Sequence, residues 1–464
     1  MSATDALILA RWQFGVTTVY HFLLVPLSIG LAFLVAVMQT LHQRTGRPEY
    51  LRMTRFFGHL FAINFALGVA TGIVQEFQFG MNWSSYSRFV GDIFGAPLAI
   101  EGLLAFFMES TFLGLWIFGW GRLPKGLHLA CIWVVALGTQ LSAFFILAAN
   151  SWMQHPVGYR LNPTTHRAEM TDFLAILGNP TLLVTYSHTV LASLLTGALF
   201  VTGVSAWFLL RQRDPEIYRR AAAVGLVFAF LSAAGVVLSG HAQAQVMTQQ
   251  QPMKMAAAEA LYQTESGAEF SLFAVGTPDG RHLLLNITLP HLLSVLATNT
   301  WDGQVQGINN VQQQEEAAYG PGDYMPIVPV TYWTFRLMAG IGFVLAAFAL
   351  WGLILVRRGA LERSPAFNRL AIVAIGLPYL ANTAGWIFTE MGRQPWVVFG
   401  VLRTASGVSP SVSAWEVVAT LAGFTIAYAG LAVAAAWLMI RFINSPPGPG
   451  EEVAEAEPVP IFAY

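Results

Sequence analysis

Long apolar runs alternate with polar connections along almost the whole chain. A hydrocarbon core of about 30 Å needs roughly 20 apolar residues per helix. Runs of that order stand at about 14–40, 56–76, 95–120, 127–150, 181–210, 221–240, 328–356, 367–390 and 415–440. The pattern predicts nine transmembrane helices.

The connections fall into two sets that differ in charge. One set is short and basic: Arg44, Arg47, Arg52 and Arg55; Arg122 and Lys125; Arg211, Arg213, Arg219 and Arg220; Arg357, Arg358, Arg363 and Arg369; and Arg441, fifteen of the 24 Lys plus Arg. The alternate set holds only Arg11, Arg88, Arg160, Arg167, Lys254, Arg281, Arg393 and Arg403 over longer loops, and Arg336 lies within a helix. Basic loops stay in the cytoplasm. The expected fold is therefore an all-α integral membrane protein with its N-terminus outside and its C-terminus cytoplasmic. Residues 1–240 carry helices one to six, 241–327 form an extracytoplasmic loop, 328–440 carry the last three helices, and 441–464 form a tail.

The loop is too long to be a mere connector, so a functional role is expected for it. It begins "HAQAQVMTQQQPMKMAAAEA". The tail contains "EEVAEAEPVP", acidic and Pro-bearing, and is expected to be a disordered cytoplasmic end. No internal repeat is visible.

Composition narrows the class. Only 11% of side chains are charged against about a quarter in soluble domains, and 55% are hydrophobic. Mean hydropathy is +0.56. The cell membrane is the expected location, and a formal charge of −1 gives no reason to expect nucleic acid as a partner. The first apolar stretch, about Phe14 to Met38, exceeds a signal h-region and lacks a basic leader and an A-x-A site, so it is expected to remain as the first helix. A single cysteine, Cys131, excludes an internal disulfide, a CxxCH attachment and a cysteine-held cluster. A redox cofactor would have to be held by His, Met or carboxylate.

Ionisable residues inside a bilayer are costly, so each marks a candidate site. In this topology His21, Glu101, His188, Met338 and Glu390, from five different helices, all fall in the outer third of the membrane. Taken singly, a histidine bonded to a neighbouring helix or a packed methionine is the bland explanation. A layer of two His, one Met and two Glu is not bland: imidazole and thioether are the usual axial ligands of haem iron, and a lone His or carboxylate leaves a position open. Glu109, eight residues beyond Glu101, would lie about 12 Å deeper and roughly 80° around an α-helix, the geometry of a proton relay. Ser110 follows it, and Ser142 falls between the two acids in depth; for either serine alone, bonding to its own helix carbonyls is the commoner role.

The stretches "QFGVTTVYHF", "NFALGVATGIVQEFQFGMNW", "GDIFGAPLAIEGLLAFFMEST", "NSWMQHP", "QPMKMAAAEA", "FRLMAG" and "GWIFTEMGRQPW" are long and ordered. Through about residue 440 the chain resembles subunit I of the cytochrome bd quinol oxidases. The resemblance implies that His188 and Met338 hold a low-spin haem b. It implies that His21 and Glu390 each serve one of two high-spin haems, a haem b and a haem d that another haem b can replace, with Glu101 close by. Trp386 would lie between haems, and Arg336 and Arg393 near haem carboxylates and the quinol side. Glu109, Ser110 and Ser142 match a proton channel from the cytoplasm, and Lys254 and Glu259 a quinol-oxidising site; Lys254 is also one of only two lysines. The implied activity is oxidation of quinol outside and reduction of O2 to water, with protons taken from inside without a pump. The implied partners are a subunit II, a small single-helix subunit and the lipid bilayer. The loop after helix six resembles the family's short form, and Gly240-His241 stands where the family has Gly-Asp. Two rivals are an oxidase of the same family with b-type haems only, and a proton-coupled transporter without redox chemistry.

Overall fold

The computed structural model describes residues 3–444. Among the described residues nine helical spans are long and apolar enough to cross a membrane: Asp5–Thr45, Pro48–Met81, Ser84–Phe118, Lys125–Gln154, Pro180–Leu210, Pro215–Gln250, Val328–Arg357, Pro365–Met391 and Ala414–Asn444, here spans 1 to 9. The nine match the hydrophobic pattern. Their ends do not, because most helices continue past the hydrocarbon run into polar sequence. Span 3 starts at Ser84 rather than near 95, and span 6 runs to Gln250, so that His241 and "HAQAQVMTQQ" are helical and not loop. Residues 441–444 likewise complete the helix of span 9, and the expected acidic tail from 445 on lies outside the described residues.

Two spans are interrupted and a third changes pitch, each at a proline. Span 1 is two helices, Ala3–Phe22 and Val25–Thr45, broken at Leu23-Leu24 just ahead of Pro26. Proline has no N–H to continue the ladder and crowds the preceding turn. Span 8 breaks at Ile375-Gly376 ahead of Pro378. Span 3 stays continuous but changes pitch: beyond Pro97, residues Glu101–Phe106 form a π-helix before Phe107–Phe118 return to α.

Spans 5 to 8 form one four-helix group, with span 5 against spans 6 and 8, and span 7 against the same two, so that spans 5 and 7 face each other diagonally. Spans 1 to 4 form a second group joined to the first where spans 1 and 4 meet span 5. At the crossing of spans 1 and 5 a Cβ on Gly30 would lie 2.4 Å from the Ser193 carbonyl oxygen and 2.8 Å from Gly197 Cα. Only glycine allows that approach, as is usual where membrane helices pack backbone to backbone. Span 9 lies outside both groups against spans 1 and 2.

The main core occupies the basic end of the bundle. It joins Leu31 and Met38 of span 1, Phe57 and Phe61 of span 2, Ile132 of span 4, Leu199 and Phe208 of span 5, and Leu226 of span 6. Ion pairs such as Arg219 with Glu362 at 3.1 Å and Arg220 with Glu216 at 3.0 Å close that end. At the other end lie the four two-stranded antiparallel sheets: 159–161 with 168–170, 265–266 with 304–305, 270–276 with 283–289, and 396–398 with 402–403. Short helices Pro252–Glu259, Leu292–Thr298 and Ile308–Tyr319 complete the segment between spans 6 and 7.

Candidate functional site

Two histidines are held in the same manner. His21, in the last turn before the span 1 break, sets Nδ1 3.0 Å from Thr71 Oγ1 of span 2, while that hydroxyl donates to the Gly68 carbonyl at 2.9 Å. His188 of span 5 sets Nδ1 3.1 Å from Ser239 Oγ of span 6, whose hydroxyl donates to the Val236 carbonyl at 3.2 Å. Each hydroxyl has its one proton on its own helix, so it accepts from Nδ1–H. Both Nε2 lone pairs are then free, and neither Nε2 has a hydrogen-bond partner among the described residues. Thr71 and Ser239 were not singled out in the sequence, where a hydroxyl in an apolar helix carries no signal of its own.

Met338 lies on span 7, diagonal to His188 on span 5. A Cβ on Gly385 of span 8 would sit 2.8 Å from its Sδ, so a larger residue there would displace the thioether. Next to Gly385, Trp386 meets the Phe22 ring edge-on at 5.1 Å, one residue from His21, and packs in a cluster with Tyr186, two residues from His188. The indole thus stands between the two histidine neighbourhoods.

Glu390, at the end of span 8, is the hub of a polar network. Its Oε1 accepts from Asn150 Nδ2 at 3.0 Å and Gln154 Nε2 at 3.5 Å, both from span 4, and Oε2 pairs with Arg393. Gln154 Oε1 accepts from Lys254 Nζ at 2.5 Å. Lys254 therefore reaches Glu390 through one amide. Asn150 and Gln154 lie in "NSWMQHP", which carried the resemblance without an assigned role.

Ser142 Oγ donates to Glu101 Oε1 at 2.6 Å, which pairs this serine with the upper acid. Glu101 opens the π segment. A π turn closes each hydrogen bond one residue later and advances fewer degrees per residue than an α turn. The 80° separation expected for Glu109 is accordingly reduced, which swings the deeper acid back toward the Glu101 face. Glu109 is buried against span 4, where a Cβ on Gly138 would come 2.6 Å from its Cγ, and its Oε1 has no partner among the described residues. Ser110 does not join it: the residue is exposed and its hydroxyl bonds back to Phe106 O at 2.9 Å.

Arg336, on span 7, grips Glu259 with both terminal guanidinium nitrogens, Nη2 to Oε2 at 2.6 Å and Nη1 to Oε1 at 3.2 Å. Nε donates to the Ser271 carbonyl at 2.7 Å, and the plane lies over Phe270, Tyr332 and Phe335. Lys254 and Glu259, on one short helix, thus face different partners: span 8 through Gln154, and span 7 through Arg336. Burial and the nearby Arg393 push the Lys254 ammonium down to about 7. Burial pushes the Glu259 carboxyl up against the opposing pull of Arg336. A further buried acid of this segment, Glu315 in the helix Ile308–Tyr319, is pushed up by burial to about 7 and keeps Oε2 without a partner among the described residues. In the sequence it was hidden in the polar run "QQQEEAAYG". Among the described residues His241 bonds to Gln245 on its own helix, at 2.9 Å.

Among the described residues no three His, Cys, Asp or Glu converge to hold a bare metal ion. The donors come singly or as a His and a Met on diagonal spans, with each imidazole oriented by the hydroxyl bonded to its Nδ1. That set suits iron whose other ligands come from a macrocycle, which asks the protein for one or two axial ligands. The residues present fit haem.

Residues 9–447 match the family model described as cytochrome bd terminal oxidase subunit I. The chain is 50% identical to the cytochrome bd ubiquinol oxidase subunit 1 of Bacillus subtilis over 94% of its own length and 93% of that protein. It is 41% identical to the cytochrome bd-II ubiquinol oxidase subunit 1 of Escherichia coli over 87% and 90%. Among solved structures, a bd oxidase from Geobacillus thermodenitrificans superposes with a TM-score of 0.88 at 28% identity, covering 96% of this chain and all of that one.

Proposed function

The chain belongs to the cytochrome bd terminal oxidase subunit I family, haem-containing quinol:oxygen oxidoreductases of the cytoplasmic membrane that work with a subunit II, and from that premise we propose how its residues divide the work. Quinol is oxidised on the loop side, at the helix Pro252–Glu259. O2 is reduced within the layer of Glu101, His21 and Glu390. Haem supplies the one-electron steps and an open coordination position for oxygen when bound. His188 and Met338 would hold the low-spin haem b; His21 and Glu390 would serve the high-spin pair, a haem b and a haem d, or two b haems. Trp386 fills the space between.

The protein's own part is to place protons. At neutral pH a lysine near its pKa of about 7 is in part a free amine, able to accept a quinol hydroxyl proton and release it to the loop side. The Arg336 fork fixes the Glu259 carboxylate so that a second quinol hydroxyl has an acceptor of set orientation. Glu109, buried and short of a partner on Oε1, is placed to hold a proton from the basic side and pass it toward the Glu101 and Ser142 pair. With quinol protons released on the loop side and oxygen's protons drawn from the basic side, charge separates without a pump. The loop side is outside by the distribution of arginine. Subunit II and a small single-helix subunit are the proposed partners in the membrane.

The observation that carries this reading is the placement of Lys254 and Glu259 on one buried helix, each wired to a different span of the ionisable layer. Lys254→Ala or Glu259→Ala should slow quinol oxidation by about a hundred-fold, the usual weight of a positioned proton acceptor. The haem spectrum should stay intact. Unchanged steady-state rates with a soluble quinol in both variants would move the site elsewhere.

A further inference from the structure

The hairpin of strands 270–276 and 283–289 is inside out for an aqueous loop. Phe273 stands opposite Ile287, and Val275 opposite Leu285, so these four side chains share a face. That face is exposed, Ile287 to 52% and Leu285 to 51%. On the opposite face only strand 270–276 is buried: Ser271 and Ala274 turn into the protein, where Ser271 Oγ contacts Tyr332 Oη at 2.8 Å and the Ser271 N–H donates to Glu259 Oε2 at 3.3 Å, while Leu284 of the second strand is exposed as well. Water outside would favour the reverse arrangement, and an apolar patch of this kind marks a contact surface.

We propose that this apolar face rests in the headgroup and upper acyl region of the adjoining leaflet, as a lipid-facing wall of the loop segment. Continuity with span 7 identifies the occupant. Phe273 meets Trp333 edge-on at 5.1 Å, and Trp333 is the sixth residue of that span, exposed like Leu337, Phe343 and Val344 further down it. The hairpin face therefore extends the exposed apolar surface of span 7, at the level where an interfacial tryptophan belongs. Two further features set the depth. The turn at the hairpin tip is polar and tied back, with Arg281 bonded to Asp323 at 2.8 Å and the Gly280 carbonyl to Tyr262 Oη at 2.7 Å, so the hairpin lies flat rather than entering tip first. Among the described residues strand 283–289 pairs only with 270–276, and its outer edge is open. Its free N–H and C=O groups need water or headgroups, which confines it to the interface.

The test uses the complete oxidase, with its partner subunit, in vesicles of phosphatidylcholine and in a background freed of other reactive thiols; Cys131 itself is buried. An environment-sensitive fluorophore is attached to Ile287→Cys and, separately, to Asp279→Cys at the polar turn. Leu285→Cys gives a second position on the same face should the first variant assemble poorly. The Ile287 or Leu285 label should be quenched several-fold more strongly by lipids carrying a nitroxide near the headgroup than by aqueous iodide, and the Asp279 label should show the opposite order. Stronger quenching by iodide at Ile287 and Leu285 would place the face in water and overturn the proposal. Protection from both quenchers would overturn it as well, by showing that a protein surface, from another subunit or a second copy, covers the hairpin. None of these outcomes depends on quinol turnover, so the hairpin's position stands or falls apart from the roles given to Lys254 and Glu259.

Discussion

A membrane helix that buries an acid or a histidine announces the residue in the sequence, because the cost of burial demands a reason. His21, His188, Glu101, Glu109 and Glu390 were legible in this way, and Lys254 stood out by rarity. The groups that orient them were not legible. Thr71, Ser239, Asn150 and Gln154 are neutral and cheap to bury when bonded, and their partners lie on other helices, so only the tertiary structure shows what they do. Two residue-scale results are expected. Met338→Leu keeps the volume opposite Gly385 but removes the sulfur lone pair, and the reduced-minus-oxidised spectrum should lose its low-spin band; a full band would remove Met338 from the ligand set. Lys254, its pKa lowered by burial, carries its proton below about 7 and sheds it above. Quinol oxidation should therefore rise as pH increases through about 7, and Lys254→Gln should flatten that limb of the kcat profile. A limb that persists in the variant would assign the titration to another group.

At the scale of elements, hydrophobic run length revealed that each span exists but not where it ends. Span 6 outruns its apolar segment because "HAQAQVMTQQ" is built of good helix formers, with only the tertiary context to say that the helix continues. Pro26, Pro97 and Pro378 are visible in the sequence, yet whether a proline breaks a helix or shifts its pitch depends on which neighbours take up the freed carbonyls. The π turn at Glu101 was unreadable for that reason, and the angle between the two acids with it. The loop segment is fastened to span 7 by the Arg336 fork on Glu259. Removing one partner of a buried pair costs about 3–5 kcal/mol, because the other is left without compensation. Arg336→Gln should accordingly lower the thermal unfolding midpoint and loosen the segment 252–289 to limited proteolysis, while the low-spin signal of the His188 neighbourhood persists. A midpoint and proteolysis pattern like those of the parent protein would show that the fork does not fasten the loop.

For the whole molecule, the division between a close-packed basic end and a half-buried ionisable layer at the loop end decides how protons can move. The layer is near the loop surface, so on the proposed route protons drawn from the far side cross the dense half, and Glu109 is the buried acid on span 3 that the proposal sets partway. The two four-helix groups, their contact through Gly30 and Gly197, and the peripheral span 9 could not be read from hydropathy, since every span is apolar enough to face either lipid or protein. The most direct measurement is proton movement in vesicles holding the oriented oxidase, with pH indicators on both sides and turnover started by quinol in the presence of oxygen. Acid should appear on the loop side and alkali on the basic side, and Glu109→Gln should cut both turnover and alkalinisation by about a hundred-fold with its haem spectrum unchanged. Normal turnover and normal uptake from the basic side in Glu109→Gln, or uptake and release on the same side in the parent enzyme, would contradict the account.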